Sequence, residues 1–230
     1  MSQPAPNTSP KRVPLSRERV LLAAVAVADA EGYDSLTIRS LATYLGVQPM
    51  ALYYHVANKA AILDGILDLV FAEIEIPSPE GEWRTEMARR AHSARSALGR
   101  HPWAIVLLQS GTPGPATLRH HDAVVGTLRA AGFSVRETAH AFALLDSYIY
   151  GFSLSEAALP INGPQTVAEV AAAMIEVHPL DGYPHLAEFS KEHIMQPGYD
   201  FGSEFAFGLE LILDGLARTI GDARSSLSRR

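Results

Sequence analysis

The chain has 230 residues, 47% of them hydrophobic and 19% charged, which is the composition of an ordinary globular protein with a large core. It has no cysteine, which excludes disulfides, thiolate catalysis and cysteine-ligated metal centres, and we expect a protein of the reducing cytoplasm. The net charge of −6 is uneven, because residues 1–60 carry +2 and the remainder −8. A mildly basic N-terminal part suits a protein that touches phosphate with one end only.

The N-terminal segment starts with a proline-rich arm, residues 1–14, which we expect to be flexible. Ser16 is a good N-cap for a first helix, whose apolar residues recur at helical spacing from Val20 to Ala28. The same apolar run ends in Ala-x-Ala and resembles a secretory signal, but Glu18 and the amphipathic continuation favour the helix. No run reaches the ~20 apolar residues that a membrane span needs, so we expect no membrane partner.

Two short helices and a glycine-containing turn follow. The first has an apolar face from Ile38 to Leu45 and stops at Gly46. The second begins at Pro49, because proline is favoured at the first helical position, and is predicted to run to Val56. This is the geometry that lays a recognition helix in the major groove of DNA, although a helical hairpin that only packs has the same periodicity.

The remainder of the chain is predicted to be helices separated by proline and glycine. Asn58 caps a fourth helix, and further helices are predicted near 82–99, 102–110, 115–131, 135–158, 164–177, 185–194 and 202–221. The predicted fold is therefore all-α, with an N-terminal three-helix helix-turn-helix DNA-binding domain and a larger C-terminal helical domain for ligand binding and dimerisation. The predicted bounds of these domains are 15–76, which includes the linking fourth helix, and 77–223, followed by a tail at 224–230.

Several segments carry a specific resemblance to one family. Leu36–Ala42 (LTIRSLA), Leu45–Val47 (LGV) and Ala51–Leu63 (ALYYHVANKAAIL) resemble the DNA-binding domain of the tetracycline-repressor (TetR) family. Gly132–Ser134, Tyr150–Phe152 and Phe207–Ile212 resemble its regulatory domain, so the resemblance covers nearly the whole chain outside both tails. It implies a ligand-responsive transcriptional repressor, a homodimer that binds a palindromic operator and is released by a small-molecule effector. The alternative is a same-fold activator, or a partner-controlled regulator without a small effector.

The resemblance also implies which residues touch double-stranded DNA. It puts Thr37 and Arg39 near phosphate or the groove edge, and Gln48, Pro49, Met50 and Ala51 against bases. Tyr53, His55 and Lys59 would hold the phosphate backbone, and Tyr54, on the same helix, would touch bases or phosphate.

In this family the effector lies inside the regulatory helices, and the fourth helix carries its effect to the DNA-binding heads. The candidate effector-binding residues are Arg90, Trp103, Leu108, Thr112, His121, Val124, Leu128, Phe142, Asp146 and Ile149. Three of them, Arg90, His121 and Asp146, are of most interest because a buried charge needs a partner or a ligand, whereas apolar candidates are more often plain core.

The resemblance further implies that helices 135–158 and 202–221 of two subunits form the dimer interface. Gly208 and Gly215 lie two turns apart and would permit a close approach of helices there. The alternative is that both helices are internal core of one subunit.

The chain departs from tetracycline sensors where those proteins hold a metal–drug chelate. Where tetracycline sensors have a metal-ligating histidine, this chain has Leu108, and where they have a carboxylate it has Ser155. The adjacent Glu156 could supply the carboxylate only after a shift of register by one residue. We therefore expect an apolar or amphipathic effector, with no metal and no cofactor. No motif localises a catalytic set of residues, so we expect no enzymatic activity.

Overall fold

The computed structural model describes residues 14–108, 111–160 and 166–227, with side chains described as far as Thr219. The expected flexible arm lies outside the described residues, except for Pro14. In the described part the regular structure is helical, with no strand, which confirms the predicted all-α fold. The α-helices are α1 Arg17–Glu31, α2 Ile38–Leu45, α3 Pro49–Leu52, α4 Lys59–Ala72, α5 Trp83–Arg100, α6 Trp103–Leu107, α7 Pro115–Ala130, α8 Val135–Ala157, α9 Val167–Val177, α10 Pro184–Phe189 and α11 Ser203–Leu227.

The chain separates into two compact units, and the division falls within α4, between Leu67 and Asp68. In the first unit, Ser16 caps α1 as predicted, because its Oγ accepts a hydrogen bond from the Arg19 N–H. One face of the apolar run of α1 is buried, while Leu22 is 54% exposed, so the segment that resembles a secretory signal is an amphipathic helix of this unit.

The second unit is built around α5 and α8. The α5 helix packs against both α7 and α8, and its Ala91, Ala94 and Ala97 are fully buried, so small side chains let the helices approach closely. The α8 helix also packs against α11, where the Tyr148 ring stacks on Phe205 at 5.3 Å between centroids. None of the described helices is long and apolar enough to cross a membrane.

Several helix ends differ from the sequence prediction, among them the end of α6 at Leu107 and the start of α9 at Val167. The third helix was expected to reach Val56 but ends at Leu52, and a turn follows in which the Leu52 carbonyl accepts from both His55 N–H and Val56 N–H. The helix predicted at 185–194 stops at Phe189 and continues as a wider π-helical turn. The last helix extends to Leu227, so residues 224–227 of the expected tail are helical.

Candidate functional site

The turn between α2 and α3 is held by local bonds. Gly46 has a φ of +66°, the left-handed region that glycine adopts without steric cost, so the two helices meet through a tight turn. At the start of α2, Thr37 Oγ1 accepts from the Ser40 N–H at 3.0 Å, and Ser40 Oγ accepts from the Thr37 N–H at 2.9 Å. This reciprocal cap fixes where α2 begins.

The residues expected to contact DNA lie on the solvent side of these helices. Met50 is 70% exposed and Tyr54 is 88% exposed, whereas Leu52 and Val56 are buried. Exposed with them are Thr37, Arg39, Gln48, Pro49, Tyr53 and Lys59, while Ala51 and His55 are half-buried. We call residues 48–51, 53 and 54 the recognition surface.

A buried ionic cluster links three helices of the second unit. Arg90 on α5 is 1% exposed; its Nε–H donates to His120 Nε2 at 2.9 Å, and its Nη2 donates to Asp146 Oδ1 at 2.5 Å. The Tyr150 hydroxyl donates to Asp146 Oδ2 at 3.2 Å. We call these four residues the Arg90 cluster. A buried ion pair stabilises a protein only when the polar atoms outside the pair also have hydrogen-bond partners.

Burial determines the protonation state of the histidine in this cluster. Burial and the neighbouring charge of Arg90 lower the pKa of His120 to about 3, so its ring is neutral at physiological pH. Burial and the negative charge of Asp146 raise the pKa of Tyr150, which stays a phenol. The cluster therefore holds one cation and one anion.

A groove of about 650 Å³ runs between α7 and α8 in the same unit. Its walls include the apolar side chains of Val125, Val135 and Phe142, and His121 and Thr138 also line it. Burial lowers the pKa of His121, and its ring lies edge-on to Phe142 at 5.2 Å between centroids. This volume falls within the range of small-molecule pockets.

The groove and the Arg90 cluster are joined through one aromatic ring. The Phe71 ring of α4 contacts His120 at 5.7 Å and His121 at 5.6 Å between centroids. The structure thus brings together four of the ten candidate effector residues, which are Arg90, His121, Phe142 and Asp146.

The other candidates have different surroundings. Val124, Leu128 and Ile149 are fully buried core residues, and Trp103 is buried with its ring 5.8 Å from that of His101. Leu108 is half-buried at the end of α6, and Thr112 is exposed on the loop before α7.

Sequence reasoning missed Phe71, His120, Thr138 and Tyr150. Neighbouring residues on a helix point in different directions, yet the rings of both His120 and His121 contact the Phe71 ring. For His120 and Thr138 the available signal is a polar residue at helical spacing from apolar ones, whereas Phe71 and Tyr150 carry no such signal.

The positions discussed for a metal–drug chelate are engaged otherwise. Glu156 pairs with Arg95 through two hydrogen bonds of 2.9 and 2.5 Å, and Ser155 Oγ donates to the Gly151 carbonyl at 3.0 Å. Among the side chains that the structure describes, no group of three His, Cys, Asp or Glu is placed to hold a metal ion.

Two family descriptions match this chain. "Bacterial regulatory proteins, tetR family" matches residues 20–66, and "Tetracyclin repressor-like, C-terminal domain" matches residues 76–220. The chain is 32% identical to the HTH-type transcriptional repressor DrrR1 of Streptomyces coeruleorubidus over 95% of this chain and 83% of that protein. It is 31% identical to the class A tetracycline repressor of transposon 1721 from Escherichia coli, over 89% and 91% of the two chains.

The fold is similar to a solved structure that contains a ligand. The TetR family protein ActR of Streptomyces coelicolor, in complex with actinorhodin, aligns with a TM-score of 0.74 and 26% identity. The alignment covers 91% of this chain and all of that one. The ligand-bound state is therefore known for a relative that spans the same two units.

Proposed function

The chain belongs to the tetracycline-repressor family of transcriptional regulators, and from this premise we propose that it represses transcription as a homodimer on a palindromic operator and is released by a small-molecule effector. The observation that carries the proposal is the recognition surface, which is exposed on a braced helix-turn-helix while the opposite sides of α2 and α3 are buried. A DNA-binding regulator works in the cytoplasm, where we place it.

The domain roles follow the same proposal. Residues 15–76 bind DNA, and residues 77–223 bind the effector and the second subunit. Because one recognition helix reads too few base pairs, two half-sites about one helical turn apart are needed, and a two-fold dimer supplies them.

The effector site is assigned to the groove and the Arg90 cluster behind it. An effector changes operator affinity only by its differential affinity for the two arrangements of the DNA-binding heads, typically 1–3 kcal/mol. The α4 helix supports this coupling, since Phe71 touches both histidines of the site and the same helix begins at Lys59 in the DNA-binding unit.

The test is selection of duplexes from a random pool at low ionic strength, followed by footprinting. We expect a palindrome with two protected half-sites, weaker binding by Tyr54→Ala, and unchanged binding by Tyr44→Ala. Tyr44 is the matched control, because it is exposed on α2 but outside the expected contact set. Binding without preference for any palindrome would contradict the proposal.

A reporter gene behind the selected operator separates repression from the alternatives. Repression that a small-molecule library relieves supports the proposal, whereas activation, or relief only by a protein, supports the same-fold activator or the partner-controlled regulator.

A further inference from the structure

The recognition surface carries no charged side chain, although its partner is a polyanion. Its six residues are one glutamine, one proline, one methionine, one alanine and two tyrosines. The cations nearest to it in the chain, Arg39 and Lys59, belong to α2 and to the start of α4. The surface therefore distinguishes base pairs without a guanidinium, an ammonium or a carboxylate group.

These missing groups matter because each base pair presents its own set of donors and acceptors in the major groove. Guanine presents two acceptors, O6 and N7, which proteins read with arginine or lysine, and the amino group of cytosine is read by a carboxylate. Serine and threonine, which bond to several bases, are also missing from this surface. The surface thus lacks the side chains that select a G·C pair.

Gln48 supplies the one side-chain amide of the surface, and this amide is free to bind DNA. The residue precedes α3 with an extended backbone, at the position where a side chain often caps the helix. The Gln48 side chain makes no cap hydrogen bond and is exposed. In helix-turn-helix proteins the N-terminal residues of the recognition helix contact base edges. A glutamine amide has a donor and an acceptor, which match N7 and N6 of adenine.

The apolar residues of the surface favour the same base pair. Met50 lies in the first turn of α3, and Pro49 beside it is also exposed. Apolar side chains on a recognition helix pack on the thymine methyl group, which no G·C pair has. The hydroxyls of Tyr53 and Tyr54 both donate and accept, so they do not discriminate between base pairs.

We propose that α3 reads A·T base pairs, with Gln48 hydrogen-bonded to N6 and N7 of one adenine and Met50 packed on a thymine methyl group. Any G·C pairs that the operator specifies then lie outside the pairs that α3 covers. This inference rests on the proposed function, since it specifies the DNA sequence that the same surface binds.

Parallel selections from a random duplex pool, with wild type and with Gln48→Ala, locate the base pair that Gln48 reads. It is the position at which the variant loses the preference of wild type, and we expect an A·T pair there. Because Gln48 is exposed and caps no helix, the variant should unfold in urea like wild type. Tyr44→Ala, at an exposed residue of α2, is the matched control and should select the wild-type operator.

Two adenine analogues at this position of a single half-site separate reading of the base edge from reading of DNA shape. 7-Deazaadenine lacks N7 in the major groove, whereas 2,6-diaminopurine keeps N6 and N7 and adds an amino group in the minor groove. In fluorescence anisotropy we expect 7-deazaadenine to weaken wild-type binding about fivefold, the effect of one hydrogen bond, and diaminopurine to leave it unchanged. Gln48→Ala should bind the adenine and 7-deazaadenine operators equally.

An arginine at position 48 should reverse the preference, because its guanidinium matches O6 and N7 of guanine. We expect Gln48→Arg to prefer, on the order of tenfold, an operator with G·C in place of this A·T pair. Wild type should prefer the A·T operator.

The inference is overturned if the preference lost by Gln48→Ala is for G·C, or if no position loses its preference. It is also overturned if diaminopurine weakens binding and 7-deazaadenine does not. In all three cases wild type still selects a palindrome, so the proposed function stands. If wild type selects no palindrome, the proposed function fails and the inference fails with it.

Discussion

At His120, a buried ring already accepts a hydrogen bond from Arg90, so a second proton on this ring is unfavourable in the folded protein. The pKa of His120 is lowered from 6.5 to about 3. Between these values the unfolded chain binds a proton that the folded chain does not, so the stabilisation is complete above pH 6.5 and is lost as the pH falls toward 3. From pH 7 to pH 4 the loss amounts to about 3 kcal/mol.

The variant His120→Gln tests this dependence. The glutamine Oε1 can accept from Arg90 Nε but does not titrate, so we expect the difference in unfolding free energy between pH 7 and pH 4 to shrink by about 3 kcal/mol. Urea unfolding followed by tryptophan fluorescence measures it, because both tryptophans, Trp83 and Trp103, lie in the second unit. The control is His140→Gln, and an identical pH dependence in wild type and His120→Gln would contradict the assignment.

Met50 lies on the recognition surface with 70% of its side chain exposed, and it carries no strong hydrogen-bonding group. The only apolar group on a base edge in the major groove is the thymine methyl. We therefore expect that replacing dT by dU at one position of a single selected half-site weakens binding about fourfold, the effect of one buried methyl group of ~0.8 kcal/mol.

The matched protein variant is Met50→Ala, which should bind the dT and dU operators equally. Fluorescence anisotropy with both duplexes gives the four affinities of a double-mutant cycle. Equal loss from dU in wild type and Met50→Ala would show that another residue reads the methyl.

The start of α7 is capped by a residue of α4, a helix that is distant from it in the sequence. Pro115 opens α7 after Gly114, which has no side chain to cap the helix. Asp68 takes this role: its carboxylate accepts from the Thr117 N–H at 2.8 Å, the Thr117 hydroxyl at 2.9 Å and the Ala116 N–H at 3.2 Å. The negative charge also lies at the positive end of the helix dipole.

Removing this cap should loosen the connection of α4 to the effector-site helix. We expect Asp68→Ala to lower the unfolding free energy of the second unit by about 1–2 kcal/mol, the usual cost of losing an N-cap, and Asp68→Asn to lower it less. Tryptophan fluorescence in urea measures both. Asp181→Ala, at an exposed aspartate, is the control, and a wild-type midpoint for Asp68→Ala would rule out the capping role.

At the scale of elements, the sequence predicts helices better than their ends. Apolar periodicity and proline or glycine breaks place α4, α5, α7 and α8 within a few residues, because these signals are local. The early end of α3 and the π-helical turn after Phe189 carry no such local sequence signal. Likewise, the sequence marks Arg90 and Asp146 as candidate buried charges. It does not show that they pair with each other, because 56 residues separate them in the chain.

At the scale of the whole molecule, the family resemblance alone did not indicate which helices Gly208 brings together. Gly208 was expected to permit a close approach of helices at the dimer interface, and within the chain a Cβ on Gly208 would meet the Tyr148 hydroxyl oxygen. Tyr148 donates this hydroxyl to the Phe205 carbonyl at 3.0 Å. The absence of a side chain at Gly208 therefore lets the Tyr148 hydroxyl approach α11 within one chain, while Gly215 borders open space.

The α8–α11 pair also presents apolar side chains to solvent, and these side chains support the proposed dimer interface. Phe207 and Leu211 are 66% and 56% exposed and lie one turn apart on α11, and Leu144 and Leu154 are exposed on α8. A two-fold axis beside this pair would bury both stripes against their own copies and form a four-helix interface. We expect wild type at twice the 24.8 kDa of one chain in light scattering.

A charge in this interface should separate the subunits, because a two-fold axis brings each substituted residue close to its own copy. Phe207→Glu and Leu211→Glu are expected to sediment as monomers and to bind the operator on the order of a hundredfold more weakly, since a monomer engages one half-site without the gain of the second. Val106→Glu, at an apolar residue of similar exposure on α6, is the control. If both α11 variants stay dimeric with full operator affinity, the subunits meet through another surface. That surface would then set the spacing of the two half-sites.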